Sequence, residues 1–203
     1  MLSDSGRNDA LNGLAATVTH VSLHNADPST TGANELTGGS PAYARLAVSW
    51  AAAAAGVRDN SGALDFNVPA GATVLHLGLW TAITAGTFKG WFPVGGFAAQ
   101  AATFLASTDV FTSYGHGYAN GDRIIVADVG LAGVPTGFVE GTLYFVVNTA
   151  TDTFQLSATL GGASVAGTTD GEVVVQRCLP EVFAAQGVYS VAIGALDLNA
   201  QLV

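Results

Sequence analysis

His20 and His24 stand four residues apart in THVSLHNADPSTTGANELTGGSPAYAR, residues 19–45, a stretch that also holds an aspartate, a glutamate, an arginine and a run of hydroxyls. Such residues serve zinc binding, calcium binding, nucleophilic catalysis or contact with a partner, and spacing discriminates among these. The alternation from Thr17 to His24 predicts a strand, on which the two imidazoles share a face about 13 Å apart, too far for one zinc without a bend. His76 and His116 are remote in sequence. Asp27, Ser29, Thr31 and Gly32 fit positions 1, 3, 5 and 6 of a calcium loop, but Gly38 stands at position 12, where a bidentate glutamate is required. No metal site is expected.

Catalytic constellations fare no better. No G-x-S-x-G elbow presents a serine. The single Cys178 has Arg177 beside it but no neighbouring histidine, permits no internal disulfide, and reads as an ordinary thiol. GHGYANGD at 115–122 lacks the Lys-Ser/Thr pair of a phosphate loop and precedes a strand, so it is a turn. Asp65, Asp109, Asp122, Asp128, Asp152, Asp170 and Glu172 are dispersed over turns and strand ends, which gives paired-carboxylate hydrolysis no anchor. The chain is expected to be no enzyme and to carry no cofactor.

The elements that must position these residues are mostly strands. Residues 4–16 predict a short helix on the spacing of Leu11, Leu14 and Ala15. A long Gly/Pro/Ser/Thr loop spans 25–42, and loops of this length are usually functional or interfacial. The five alanines at 51–55 leave a helical turn and a strand-edge connection both open. Strands follow at 63–68 and 73–80, joined by a Val68-Pro69-Ala70-Gly71 turn. From Val110 the texture changes to DRIIVAD, GTLYFVVN, TFQLSA, ASVA and EVVVQ between Gly- and Asp-rich turns, which predicts a small all-β module. GVYSVAIGALDLNAQLV supplies one or two closing strands.

Charged residues make up 10% of the 203 residues and hydrophobic ones 49%, so charges cannot cover the surface. Ala, Gly, Thr, Ser and Val must fill it, an exterior suited to shielding by neighbouring subunits. The net charge is −9, and Arg7, Arg45, Arg58, Lys89, Arg123 and Arg177 form no stripe, which argues against direct nucleic-acid binding. The longest apolar run, Leu46 to Val57, is too short to cross a bilayer, and no membrane association or signal peptide is expected. Folding in a reducing cytoplasm is the simplest reading. Solenoid, heptad and collagen periods are all missing from the sequence.

The strand at 19–24, Ala26-Asp27-Pro28, Thr31-Gly32-Ala33-Asn34-Glu35, Tyr43-Ala44-Arg45 with Trp50, and Pro69-Ala70-Gly71 leading to Gly78-Leu79-Trp80 together resemble a family of small structural proteins of tailed bacteriophages. That family is common among phages of actinobacteria and usually labelled tail-fibre-like or minor tail protein. The resemblance covers residues 1 to about 108 and the closing strands. The stretch between departs from the family pattern and is itself similar to a β module of phage tail and other virion proteins.

The resemblance implies a virion component assembled in the host cytoplasm. The expected fold is mainly β, with a sandwich-like domain from 1–108 plus 179–203, a short N-terminal helix and an inserted β module at 109–178. The charge-poor surface and the missing fibre repeat favour a minor capsid or cement protein, a decoration protein that bridges coat subunits and stabilises the capsid. The alternative is a minor tail or tail-fibre-like protein. A carbohydrate-binding or hydrolysing receptor module is a third class, with Trp80, Trp91 and Tyr118 as candidate aromatic platforms. Partners are then other virion proteins, major capsid or tail proteins, with a homo-oligomer also open. Asp27, Thr31, Asn34, Glu35, Tyr43 and Arg45 form the candidate contact loop: Asp27 and Asn34 hold turns, and Glu35 pairs with Arg45.

Overall fold

The computed structural model describes residues 2–95, 98–129 and 133–199. Helix α1 (Asp4–Thr17) starts at Ser3, whose hydroxyl accepts from the Gly6 amide at 3.3 Å. It buries only Leu11 and Ala15, so its position depends on polar ties as well. Asn8 Oδ1 accepts from the Gly56 amide at 2.9 Å, and Arg58 bonds Asn12.

Seven strands follow: β1 (His20–His24), β2 (Leu46–Ala47), β3 (Val57–Asp59), β4 (Leu64–Val68), β5 (Thr73–Val74), β6 (His76–Trp80) and β7 (Phe88–Pro93). Six more are β8 (Gln100–Leu105), β9 (Val110–Thr112), β10 (Arg123–Asp128), β11 (Leu143–Val147), β12 (Thr153–Ser157) and β13 (Gly171–Arg177). The last strands among the described residues are β14 (Glu181–Val182), β15 (Gly187–Val191) and β16 (Asp197–Asn199). Two compact units result, Met1–Gly96 with Pro180–Val203, and Phe97–Leu179. The mainly β expectation holds.

The first unit contains an antiparallel sheet of order β2-β1-β6-β7 and three ribbons, β14-β5, β15-β4 and β16-β3. All five residues of β6 are buried, as a strand apolar on both faces demands. Leu64, Phe66 and Val68 point inward on β4, while Asp65 points out and accepts from Ser190 Oγ at 2.6 Å. Asn60, 1% exposed, sutures the returning segment to the rest: its amide donates to the Gly62 and Ala192 carbonyls at 2.7 and 2.9 Å, and its oxygen accepts from the Leu196 amide at 2.9 Å. Edge strand β7 carries the chain's sole lysine, Lys89, and ends in Pro93, both of which discourage strand addition.

The second unit is a closed barrel of order β10-β11-β12-β9-β8-β13. Closure leaves no open edge. Its core is aromatic: Phe104 and Phe111 lie 4.7 Å apart, Phe138 packs edge-on against both at 5.1 Å, and Phe111 stacks on Phe154 at 5.4 Å.

Several expectations change. The division expected at 108/109 falls inside the barrel unit, because β8 pairs with β13 and β9 and turns Ala102 and Phe104 into its core. ASVA at 163–166 forms no strand; among the described residues its ladder-like bond is Val165 amide to Leu156 carbonyl at 2.7 Å. The alanine run is a strand-edge connection that ends in a tight turn, with Ala55 and Gly56 both at positive φ. The turn after β4 is shifted by one residue: Ala72 donates to the Pro69 carbonyl, and Gly71, φ 77°, takes the third position. Residues 200–203 of the expected closing strands lie outside the described residues.

Candidate functional site

The loop after β1 is held from three directions. Asn25 donates to the Asn34 carbonyl at 3.1 Å, Leu36 donates to the Leu23 carbonyl at 2.9 Å, and the His24 ring bonds the Ala33 carbonyl through Nδ1 at 2.7 Å. A carbonyl only accepts, so Nδ1 carries the proton. His24 Nε2 then accepts from the Ser22 hydroxyl at 2.6 Å, and Ser22 Oγ accepts from Trp80 Nε1 at 2.9 Å. This buried chain of neutral donors and acceptors is complete without a charge. Burial lowers the His24 pKa, the Ala33 bond and Glu35 oppose this, and Arg45 adds to the lowering.

Glu35, Tyr43 and Arg45 come together. Arg45 grips Glu35 in a fork, with Nε to Oε1 at 2.9 Å and Nη2 to Oε2 at 2.7 Å. Its Nη1 donates to the Ala82 and Ala85 carbonyls at 3.1 and 2.7 Å, which fastens the 81–87 loop to the same point. The guanidinium lies 3.4 Å from the centre of the Trp80 ring. The Tyr43 hydroxyl donates to Glu35 at 3.2 Å and accepts from the Leu23 amide at 2.8 Å, and burial pushes its pKa up.

Asp27, Thr31 and Asn34 form a separate cluster. Asp27 Oδ1 accepts from the Ser29 amide at 2.7 Å, Asn34 Nδ2 donates to the Asp27 carbonyl at 2.7 Å, and Thr31 shares a hydroxyl contact with Ser29 at 3.1 Å. Asn34 and Ser29 hold positive φ. The turns at Asp27 and Asn34 and the Glu35–Arg45 pair are those that the residue types suggest. His20 is the exposed-end histidine of β1 and bonds Thr19 Oγ1 at 2.9 Å, far from any role shared with His24.

Other contributors were not legible. Gly32, φ 75°, lies under the Trp80 ring, and a Cβ there would collide with it; a Cβ on Gly78 would collide with Ser22 Oγ and His24 Nε2. Gln186 returns from the end of the chain to accept from the Ser40 amide at 2.7 Å and donate to the Pro41 carbonyl at 2.8 Å, across a cis Ser40-Pro41 bond. No sequence signal marks Gln186; the glycines were visible as glycines, without their neighbours.

What this arrangement presents outward is mostly hydroxyl, amide and small apolar groups, with the half-exposed Asp27 as its one unpaired charge among the described residues. Ser29, Thr30, Thr31, Thr37, Ile83 and Thr84 are exposed, while Glu35 and Arg45 face inward to one another. Among the described residues no cluster of three or more histidine, cysteine or carboxylate side chains could hold a metal. Trp80 is buried, and Trp91 and Tyr118 are half-buried in edge contacts with His76 and Phe154, so none is an open stacking platform.

Residues 6–112, more than half of the chain, match the family described as podophage GP4 fiber I protein gp80. The chain belongs to that family. This phage fibre relative is therefore a bacteriophage structural protein and a virion component that meets other virion proteins. The matched region contains all six candidate contact residues, the Arg45-centred clamp and the first two barrel strands. No match was found among curated proteins or among solved structures.

Proposed function

We propose that this protein is a non-enzymatic subunit of the phage tail, in a fibre or tip assembly, and that the clamped loops 25–45 and 81–87 form its contact surface for a neighbouring virion protein. The family match over residues 6–112 carries this reading, because it includes both loops and names a fibre protein. The geometry supports it. A surface whose Glu35–Arg45 pair is closed internally exposes mainly hydroxyls, amides, small apolar groups and one large aliphatic side chain, Ile83 at 54%, and costs little to desolvate against a partner. Among the six residues, Thr31 and Asn34 make the direct contact, while Glu35, Tyr43 and Arg45 hold the platform in shape. The kinship with actinobacterial phages belongs to the same proposal.

The cement reading rests on the charge-poor surface and the missing fibre repeat, and the family description favours the tail. Immunogold labelling of intact particles tests the choice: label confined to the tail end is expected. Label spread evenly over the head would sink the proposal and restore the decoration role. At the surface itself, Thr31→Arg is expected to lower incorporation into particles without unfolding the protein; unchanged incorporation would remove the loop from the interface.

A further inference from the structure

The barrel carries both of its arginines, with Asp122 and Asp152, at one end and its five other carboxylates at the opposite end. Asp128 lies opposite Val173 and Ile124 opposite Arg177, so the end of β10 and the start of β13 meet. Around that end stand Asp128, Glu172, Asp170, Asp109 and Glu140: Asp170 Oδ1 accepts from the Ala106 amide at 2.8 Å, Asp109 Oδ1 from Gly167 at 2.9 Å, and Glu140 Oε1 from Asp128 at 3.3 Å. Both arginines of the unit lie at the other end, where Arg177 pairs with Asp122 at 2.6 Å.

A shallow open groove on the outer face of β9, β8 and β13 runs into the acidic end, lined by Thr103, Leu105, Thr112, Asp170 and Glu172 over the backbone of Phe104 and Gly171. Leu105 is 48% exposed there, and Glu172 projects to solvent with no hydrogen bond or ion pair among the described residues. An exposed leucine beside two carboxylates, neither of them in an ion pair among the described residues, is a surface of one sign with an apolar foothold.

We propose that this groove docks an extended basic segment of another virion protein, its aliphatic side chain against Leu105 and its lysine or arginine toward Glu172 and Asp170. Charge complementarity selects this occupant. A second copy is a poor one: the chain carries 15 acidic residues against 6 Lys and Arg, and both Arg45 and Arg177 are already in ion pairs. Nucleic acid has the wrong sign. This goes beyond the platform of the first unit, and particle localisation does not decide it.

The test titrates the full-length, isotope-labelled protein with a synthetic peptide of alternating lysine and valine, and with its glutamate counterpart. Expected are amide shifts confined to residues 103–112 and 170–174, and none with the acidic peptide. Affinity should fall about tenfold or more between about 50 and about 500 mM salt. Glu172→Lys, an exposed change that leaves the rest of the spectrum intact, should weaken binding about tenfold, and Leu105→Ser several-fold. Absence of binding, shifts spread evenly over carboxylates of both units such as Asp9 and Asp65, or undiminished binding by Glu172→Lys would overturn the proposal. So would self-association of the protein that Glu172→Lys abolishes, since the occupant would then be a second copy.

Discussion

The barrel and the sheet-and-ribbon unit manage the same β chemistry in opposite ways. In the barrel every strand finds two neighbours and the interior packs four phenylalanines among Tyr144, Ile124, Leu156 and several valines, so its order comes from closure and apolar packing. The other unit has one four-stranded sheet and three two-stranded ribbons, too small to be stable as isolated hairpins. Polar pins substitute for ladders there: Arg45 across two loops, Asn60 across the returning segment, Gln186 across the Ser40-Pro41 turn, and the Trp80-Ser22-His24 chain under the long loop. One unit should therefore fail when volume is removed, the other when a hydrogen-bonding group is removed.

All three tryptophans, Trp50, Trp80 and Trp91, belong to the pinned unit, so their emission reports on it alone. Phe111→Ala should have the largest effect, about 3–5 kcal/mol from barrel stability, read as lost amide protection in β8–β13 with the tryptophan transition unmoved. If both signals move together, the contrast between the units is wrong. Arg45→Ala should cost about 3 kcal/mol in urea denaturation followed by tryptophan emission, because it strands the mostly buried Glu35 and frees the 81–87 loop. Arg45→Lys should recover only part, since an ammonium lacks the fork. Asn60→Ala should follow at about 2 kcal/mol in the same measurement, with β15 and β16 exchanging first.

Acid sharpens the comparison further. Burial holds the folded His24 pKa below its ordinary 6.5, so the unfolded chain takes up the proton first. The stability due to neutral His24 is whole above pH 6.5 and declines as pH falls through the lowered value, with a slope of at most about 1.4 kcal/mol per pH unit. Imidazole resonances should place the His24 midpoint below 6.5 and link it to faster exchange at Ala33–Leu36; a midpoint above 6.5 would show that the latch is not neutral. The smallest effect is Glu172→Gln, within about 0.5 kcal/mol of the parent in barrel protection.

Local patterns made much of this legible. The period-two runs of β1, β6 and β10–β13, with their Gly and Asp turns, could be read because a strand's alternation and a turn's residues sit in the same few positions. The Asp27 and Asn34 turns and the Glu35–Arg45 pair were visible for the same reason. What escaped is non-local. QAATFL looks like any half-buried strand, and only its pairing of Ala101 with Val174 assigns it to the barrel. Asn60 and Gln186 act on residues more than a hundred positions away. Gly32 and Gly78 announced flexibility, while their actual use is to let an indole and an imidazole come close.

The register has a practical corollary. In the barrel, Gln100 near the entry lies opposite Val175 near the exit; in the other unit, Pro93 pairs with His76 and Glu181 with the nearby Val74. Both halves of the junction thus offer ends side by side, a socket into which a reporter domain with adjacent termini could be spliced in place of residues 97–179, or which a short glycine bridge could close.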